Sequence, residues 1–377
     1  MVNIEKVDTN NKAQVKDFTR LPYRLYEQVA QWVPPVLVDQ KLYLQRDKHP
    51  FYEHSEADFF LARRDGQVVG RIAALQNRHY NEYHGTKKAQ FYLFECENDQ
   101  EAASALFGQV YEWAHARGLN TLIGPKGFGV LDGYGLLQEG YEHRQVMSMM
   151  NYNFPYYIQL VENLGFEKEV DFLSCYLHRS NFVLPDRIHS IAERVLQRGT
   201  LGVVRFHNKN DMKAWAPRIG KAYNQAFVNN WEYAPLTDAE VKVVLDNILL
   251  IADPKMIKII THKDDVVGFL LGFPDLSAAL QRAKGRLFPF GIVDLLLEMK
   301  RTKTVSGNGM GVLPEFQGTG GNALLYYELG KTVLDNYDFK FVEMTQVAET
   351  TRQMRADLKN LNGVEYKNHR VYRKEIK

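Results

Sequence analysis

Cysteine is nearly absent from this chain of 377 residues: Cys96 and Cys175 stand alone and far apart. Two such residues build neither a disulfide framework nor a metal-ligand spacing, which excludes a stapled secreted scaffold and predicts a reducing compartment. Long apolar runs are missing as well. Ile248–Ala252 is among the longest, far short of the ~20 residues that a membrane helix needs. Residues 1–6 do not read as a signal peptide. Charge of one sign is also lacking, with 47 Lys and Arg against 45 Asp and Glu for a net charge of +2. That balance gives no reason to expect nucleic acid or a membrane surface as partner. No G-x-x-x-x-G-K-S/T, no G-x-G-x-x-G and no H-E-x-x-H occurs, so triphosphate, dinucleotide and zinc-hydrolase readings lose their usual signatures. A cytoplasmic protein without a metal is the expectation.

What is present fits a folded enzyme-sized chain. The hydrophobic fraction is 45% and the charged fraction 24%, as in globular proteins. At roughly 150 residues per domain the length predicts two domains. Periodicity predicts strands at 4–7, 57–63, 67–75, 88–95, 121–123 and 172–177, with helices at 12–30, 99–117 and 155–164. The second half predicts strands at 202–207, 255–261, 266–273, 303–312, 339–345 and 364–375. Its helices fall at 211–227, 237–251, 276–300, to about 334 and at 349–361, with Asp211 and Thr237 as caps and Glu240 in a capping box. The halves share this order. Both carry a hairpin whose second strand begins Val-Val-Gly, at Val68–Gly70 and Val266–Gly268. Both end a late helix at glycine, Gly165 and Gly363. The predicted division is 1–180, a connector at 181–200, and 201–377.

Residues 312–325 read Val-Leu-Pro-Glu-Phe-Gln-Gly-Thr-Gly-Gly-Asn-Ala-Leu-Leu. A strand enters a glycine turn, and the turn opens an apolar helix. Such a turn leaves backbone N–H groups unpaired and aims the helix dipole at them, a cradle for phosphate. The pattern resembles the Gln/Arg-x-x-Gly-x-Gly/Ala loop of the GNAT acyltransferase superfamily, with Gln317, Gly318, Gly320 and Asn322 on its positions; Asn322 departs from the usual Gly/Ala. With the repeated element order, the resemblance extends over nearly the whole chain. It implies an α/β (α+β) fold of two GNAT-like domains, each a mixed, mostly antiparallel sheet flanked by helices. It also implies acetyl-coenzyme A or another acyl-coenzyme A as donor and a small-molecule amine as acceptor.

On that resemblance, Gln317, Gly318, Thr319, Gly320, Gly321, Asn322 and Ala323 hold the diphosphate, and Met310, Gly311 and Val312 meet the acyl carbonyl through backbone N–H groups. The first half has Glu95-Cys96-Glu97-Asn98-Asp99 at the equivalent place, acidic and free of glycine. Carboxylates there repel a diphosphate, which marks the first half as a degenerate copy and assigns the donor to the second. Glu343, an acid inside a strand, is the candidate general base. The tyrosine that many relatives place four residues before the helix-ending glycine is replaced by Lys359. Tyr326 and Tyr327 read as packing residues. Tyr156 and Tyr157 follow a glycine- and methionine-rich loop (124–157) and are expected to wall the acceptor site, as are Asn230, Trp231 and Tyr233 between two helices. His54, His79 and His84 read as loop packing. Two other readings stay open: a long-chain acyl or aminoacyl transferase, and a non-catalytic acyl-coenzyme A sensor.

Overall fold

Local chemistry sets most of the elements. A computed structural model of the chain describes residues 1–147, 150–182 and 184–376; Ser148 and Met149 of the methionine-rich loop lie outside them. The described residues divide into two units. The first comprises 1–173, 277–296 and 367–377, and the second 174–276 and 297–366.

The first unit opens with β1 (Val2–Lys6), α1 (Lys12–Leu25), α2 (Leu37–Leu42), β2 (Glu56–Arg64), β3 (Gln67–Gln76), α3 (Arg78–His84) and β4 (Lys88–Cys96). It continues with α4 (Gln100–His115), β5 (Thr121–Gly124), β6 (Leu136–Glu139), α5 (Tyr156–Glu162) and β7 (Glu167–His178), which passes into the second unit at Ser174. Next come α6 (Asp186–Arg198), β8 (Gly202–Val204), α7 (Lys209–Ala226), α8 (Asp238–Ile251), β9 (Ile257–His262) and β10 (Asp265–Pro274). The remaining elements are α9 (Ser277–Ala283), α10 (Gly291–Arg301), β11 (Thr304–Val312), α11 (Gly321–Asn336), β12 (Phe341–Ala348), α12 (Arg352–Asn360) and β13 (Val364–Glu375).

In the first unit the strand order is β1-β2-β3-β4-β5-β13, antiparallel except for the parallel pair β4–β5. In the second it is β8-β9-β10-β11-β12, antiparallel except for β11–β12. The first five strands of the one match the five of the other, with the parallel pair last in both. The last strand did not stay with its own half: residues 368–375 of β13 pair with β5 and β6, and Tyr372 and Ile376 sit in the first unit's core with Phe91, Phe107 and Trp113. A cut of the sequence at 180 and 201 does not convey this exchange.

Caps explain the helix starts. Asp99 accepts the Ala102 N–H at the start of α4, and Thr237 and Glu240 form the expected capping box. Asn208, not Asp211, caps α7: its side chain accepts the N–H groups of Asn210 and Asp211. The stretch 276–300 is two helices and not one, broken where Gly285 takes φ +69° before Phe288-Pro289-Phe290; proline without an N–H and glycine at positive φ both end helices. Residues 78–84 form a helix instead of a loop, capped by Asn77 and closed by Gly85. No helix among the described residues is long and apolar enough to cross a membrane.

His369, on β13, is fully buried and meets the Asn151 carbonyl through Nε2 at 3.0 Å, while its Nδ1 has no partner. Burial pushes its pKa down to about 4 from 6.5. The folded state therefore binds fewer protons than the unfolded state between those values, so stability falls as the pH drops through that window. The loss from this one group reaches roughly 3 kcal/mol by pH 4. His369→Gln should flatten the acid limb of a chemical-denaturation stability profile between pH 6.5 and 4. An unchanged acid limb would show that His369 does not carry it.

Candidate active site

The second unit's site begins with a strand that loses its neighbour. β11 and β12 pair in parallel only from Thr304 to Gly307, opposite Phe341 to Met344. On its other side β11 stays bonded to β10, with a register shift around Asn308 and Gly309. Gly309 takes φ +99° there, a conformation open to glycine at little cost. Beyond the shift, residues 308–312 have no strand on the β12 side among the described residues. Such an edge offers N–H and C=O groups in a row to an extended, amide-bearing ligand.

The edge leads into the glycine turn. The Gln317 amide folds back to the Val312 carbonyl at 3.2 Å, and the Thr319 hydroxyl donates to the Phe316 carbonyl at 2.6 Å. Both side chains therefore shape the turn from within. Gly320 takes φ +98°, and no side chain caps α11, so the first N–H groups of the helix face outward with the positive end of its dipole. A Cβ on Gly320 would come within 2.7 Å of Val195 and 3.0 Å of Ile191 on α6, whereas one on Gly318 would meet nothing within 4 Å. The space in front of the turn is thus on the Gly318 side. Gly321 and Ala323 are buried and Asn322 is half-buried. The backbone of 318–323 fits a diphosphate, and the edge at Met310–Val312 fits the amide arm of coenzyme A.

Glu343 lies on β12 beside this opening. It is 5% exposed and accepts a short hydrogen bond from the Tyr366 hydroxyl. Burial, with Glu343 next, drives the Tyr366 pKa far above its ordinary value, so the phenol stays a donor. Met344 packs with Leu358 of α12 and shares a cleft with Tyr326 and Leu329 of α11; alternation along the strand turns Glu343 to the other face. That face is covered by α7, since Tyr223 of α7 stacks on Phe269 and Phe273, four residues on, is the register partner of Ser306. Ser306, opposite Glu343, and Thr345 are buried with hydroxyl oxygens that have no hydrogen-bond partner. Orphaned hydroxyls beside a buried acid mark a place where a polar ligand or water completes the set. Tyr366 was not singled out in the sequence; its pairing with Glu343 depends on sheet register that no local pattern reports.

The α7–α8 turn carries Asn230, Trp231 and Tyr233. Asn230 is exposed, and the Tyr233 hydroxyl donates to the Asn224 carbonyl, which ties the turn to α7. Tyr156 and Tyr157 do not wall an acceptor site. Tyr157 is fully buried in the first unit's core, accepting the Cys96 N–H at 2.9 Å and donating to Glu95 at 2.9 Å. Tyr156 donates to the Cys96 carbonyl at 2.8 Å. The physical reason is a parted pair of the first unit: β4 and β5 pair only at 88–90 and 121–123, and these two tyrosines satisfy the end of β4 that parting leaves bare. Tyr26 adds a second hydroxyl to Glu95 at 2.7 Å, and the Arg71 guanidinium lies 4.0 Å from it. Burial still holds the Glu95 carboxyl above its usual range. Asp99 already occupies the N-terminus of α4 and is itself clasped by Arg64 at 2.6 Å, so an anion has no place there.

An apolar cleft of about 60 Å³ sits on the α11 face of the second unit, lined among others by Leu270, Tyr326, Leu329, Val333, Met344 and Leu358. Tyr326 thus packs, as expected, but against a space and not only a core. Among the described residues no group of three His, Cys, Asp or Glu side chains could hold a metal ion. His54 and His79 lie ring to ring at 5.5 Å, and His54 meets the Ser55 hydroxyl.

No protein-family model matches the chain. It is 27% identical over 382 residues to the bacterial ceramide synthase of Caulobacter vibrioides, covering 99% of this chain and 98% of that protein. It is also 27% identical over 371 residues to protein YghO of Escherichia coli, covering 97% and 94%. Among solved structures, a tandem GNAT protein from the clavulanic acid biosynthesis pathway aligns over 100% of this chain and 99% of its own, with a TM-score of 0.59 at 12% identity. A GCN5-related N-acetyltransferase from Sphaerobacter thermophilus aligns over 100% and 96%, with a TM-score of 0.50 at 14% identity. The parted strand pair in each unit, the glycine turn in one of them, and these whole-length alignments converge: the chain has a tandem GNAT fold.

Proposed function

We propose that this protein is an acyl-coenzyme A-dependent N-acyltransferase that binds its donor in the second unit. The observation that carries the reading is the open edge at 308–312 running directly into an uncapped helix N-terminus, while the first unit fills the same two places with its own tyrosines and Asp99. Residues 1–180 and 201–377 are the two repeats in this reading, joined by 181–200. Gly318–Ala323 hold the diphosphate, and Gln317 and Thr319 set the turn. The backbone of Met310–Val312 receives the amide arm and the acyl carbonyl, where a fixed N–H stabilises negative charge as it develops on oxygen.

A bound thioester supplies the activated acyl group. The protein's share is to orient the amine and remove its proton. Glu343 takes that proton, directly or through a water held by Ser306 and Thr345, and Tyr366 is the positioning residue that holds the carboxylate. Asn230, Trp231 and Tyr233 sit on the turn after α7 and contact the acceptor. The new bond is C–N, and the bond that breaks is C–S, with the thiolate as leaving group.

A long acyl chain is favoured over acetyl by one observation: a whole-length relative is named a bacterial ceramide synthase. A ceramide is the amide of a fatty acid with a long-chain amino alcohol, so a lipid amine is the acceptor class this reading names.

Calorimetric titration with acetyl- and palmitoyl-coenzyme A tests the donor site. Asn322 is half-buried in the first turn of α11 and Asn322→Asp keeps its shape, so this variant should fold normally yet weaken both donors by at least about tenfold through repulsion of the diphosphate. If neither donor binds the wild type, the acyl-transfer reading fails. In turnover with a long-chain amine, Glu343→Gln should lower kcat by about 100-fold or more, the span of general-base catalysis. Tyr366→Phe should leave KM nearly unchanged and shift the pH profile of kcat. Donor binding without turnover of any amine would identify a sensor instead of an enzyme.

A further inference from the structure

One helix of this protein is built inside out. α10 presents Ile292, Val293, Leu296 and Leu297 to solvent at 40, 53, 58 and 42% exposure, and Phe288 and Phe290 just before it stand at 75 and 80%. Positions i, i+1, i+4 and i+5 lie on one face of a helix, so the exposed residues form one stripe. The polar residues face the other way: Glu298 is buried, and Asp294 is engaged by Arg282 at 2.9 Å. A surface helix ordinarily has the opposite arrangement. Six large apolar side chains within ten residues form a patch of the kind that water-facing surfaces avoid unless something covers it.

The flanks indicate what covers it. Lys284 and Arg286 precede the patch, Lys300 and Arg301 close the same helix, and all four are exposed. The chain's net charge of +2 conceals this local concentration, because the two acids of the segment are turned inward. Apolar side chains bracketed by basic ones match the layers of an anionic bilayer: phenylalanine and leucine enter the acyl boundary while lysine and arginine reach the phosphates. A second copy of this chain fits poorly, since the flanks would bring cations together with no exposed acid in the segment to answer them.

We propose that residues 284–301 dock this protein on the surface of an anionic phospholipid bilayer, with α10 lying in the interface plane. The proposal does not rest on acyl transfer: a protein that binds vesicles and turns over nothing would keep it, and one that turns over a soluble donor without binding vesicles would lose it.

Co-sedimentation of the full chain with vesicles of phosphatidylglycerol and phosphatidylethanolamine, and with vesicles of phosphatidylcholine alone, tests it. The expected result is binding to the anionic vesicles and much weaker binding to the neutral ones. Phe288→Ser with Phe290→Ser, and separately Lys300→Glu with Arg301→Glu, should each weaken that binding about tenfold or more. Thermal unfolding of both variants should match the wild type, because the four side chains are exposed. No binding by the wild type, or equal binding by the Phe288→Ser/Phe290→Ser variant, overturns the proposal. Sedimentation velocity supplies the rival outcome: a dimer that this variant dissolves, with no vesicle binding, assigns the patch to a second copy.

Discussion

The account turns on the parting of one parallel strand pair. Two strands that stay together satisfy each other's backbone along their whole length; two that separate leave N–H and C=O groups that must find partners elsewhere. In the second unit β11 and β12 separate after Gly307 and Met344, and the strand so exposed ends in a turn that leaves a helix start uncapped as well. Unsatisfied backbone groups in sequence, first along an edge and then around a helix terminus, form the surface that the proposed function assigns to the backbone-like amides and phosphates of a nucleotide thioester.

The first unit supplies the control experiment within the same molecule. It has the same parted pair, so the geometry belongs to the fold and not to a ligand. There, however, Tyr156 and Tyr157 satisfy Cys96, Tyr26 and Tyr157 satisfy Glu95, and Asp99 caps α4. The identical structural problem is solved once with side chains and once by leaving it open. Side chains that could have been surface tyrosines are spent in the interior, which is why Tyr157 is fully buried.

Much of this was legible in the residues. Strand and helix order came through because hairpins, caps and apolar periodicity are local properties: the Val-Val-Gly strands, the Thr237 capping box and the 364–375 strand all appear where their patterns place them. The glycine turn was legible because its conformation demands particular residues. Pairing was not. That β13 joins the first unit's sheet, or that Tyr366 meets Glu343, depends on contacts between residues distant in sequence. Burial direction misled at Tyr156 and Tyr157, where an aromatic pair after an irregular loop looks the same whether it faces a ligand or a core. It also stayed hidden at α10, whose residues lie inside one helical stretch, 276–300, that does not by itself say which face meets solvent.

Amide hydrogen exchange with and without palmitoyl-coenzyme A addresses the central claim most directly, because it reads the backbone groups themselves. The account predicts slowed exchange in 308–323 on addition of the donor and no change in 91–101. Protection of 91–101 with 308–323 untouched would contradict it, since the donor would then occupy the unit whose edge and helix start are already filled.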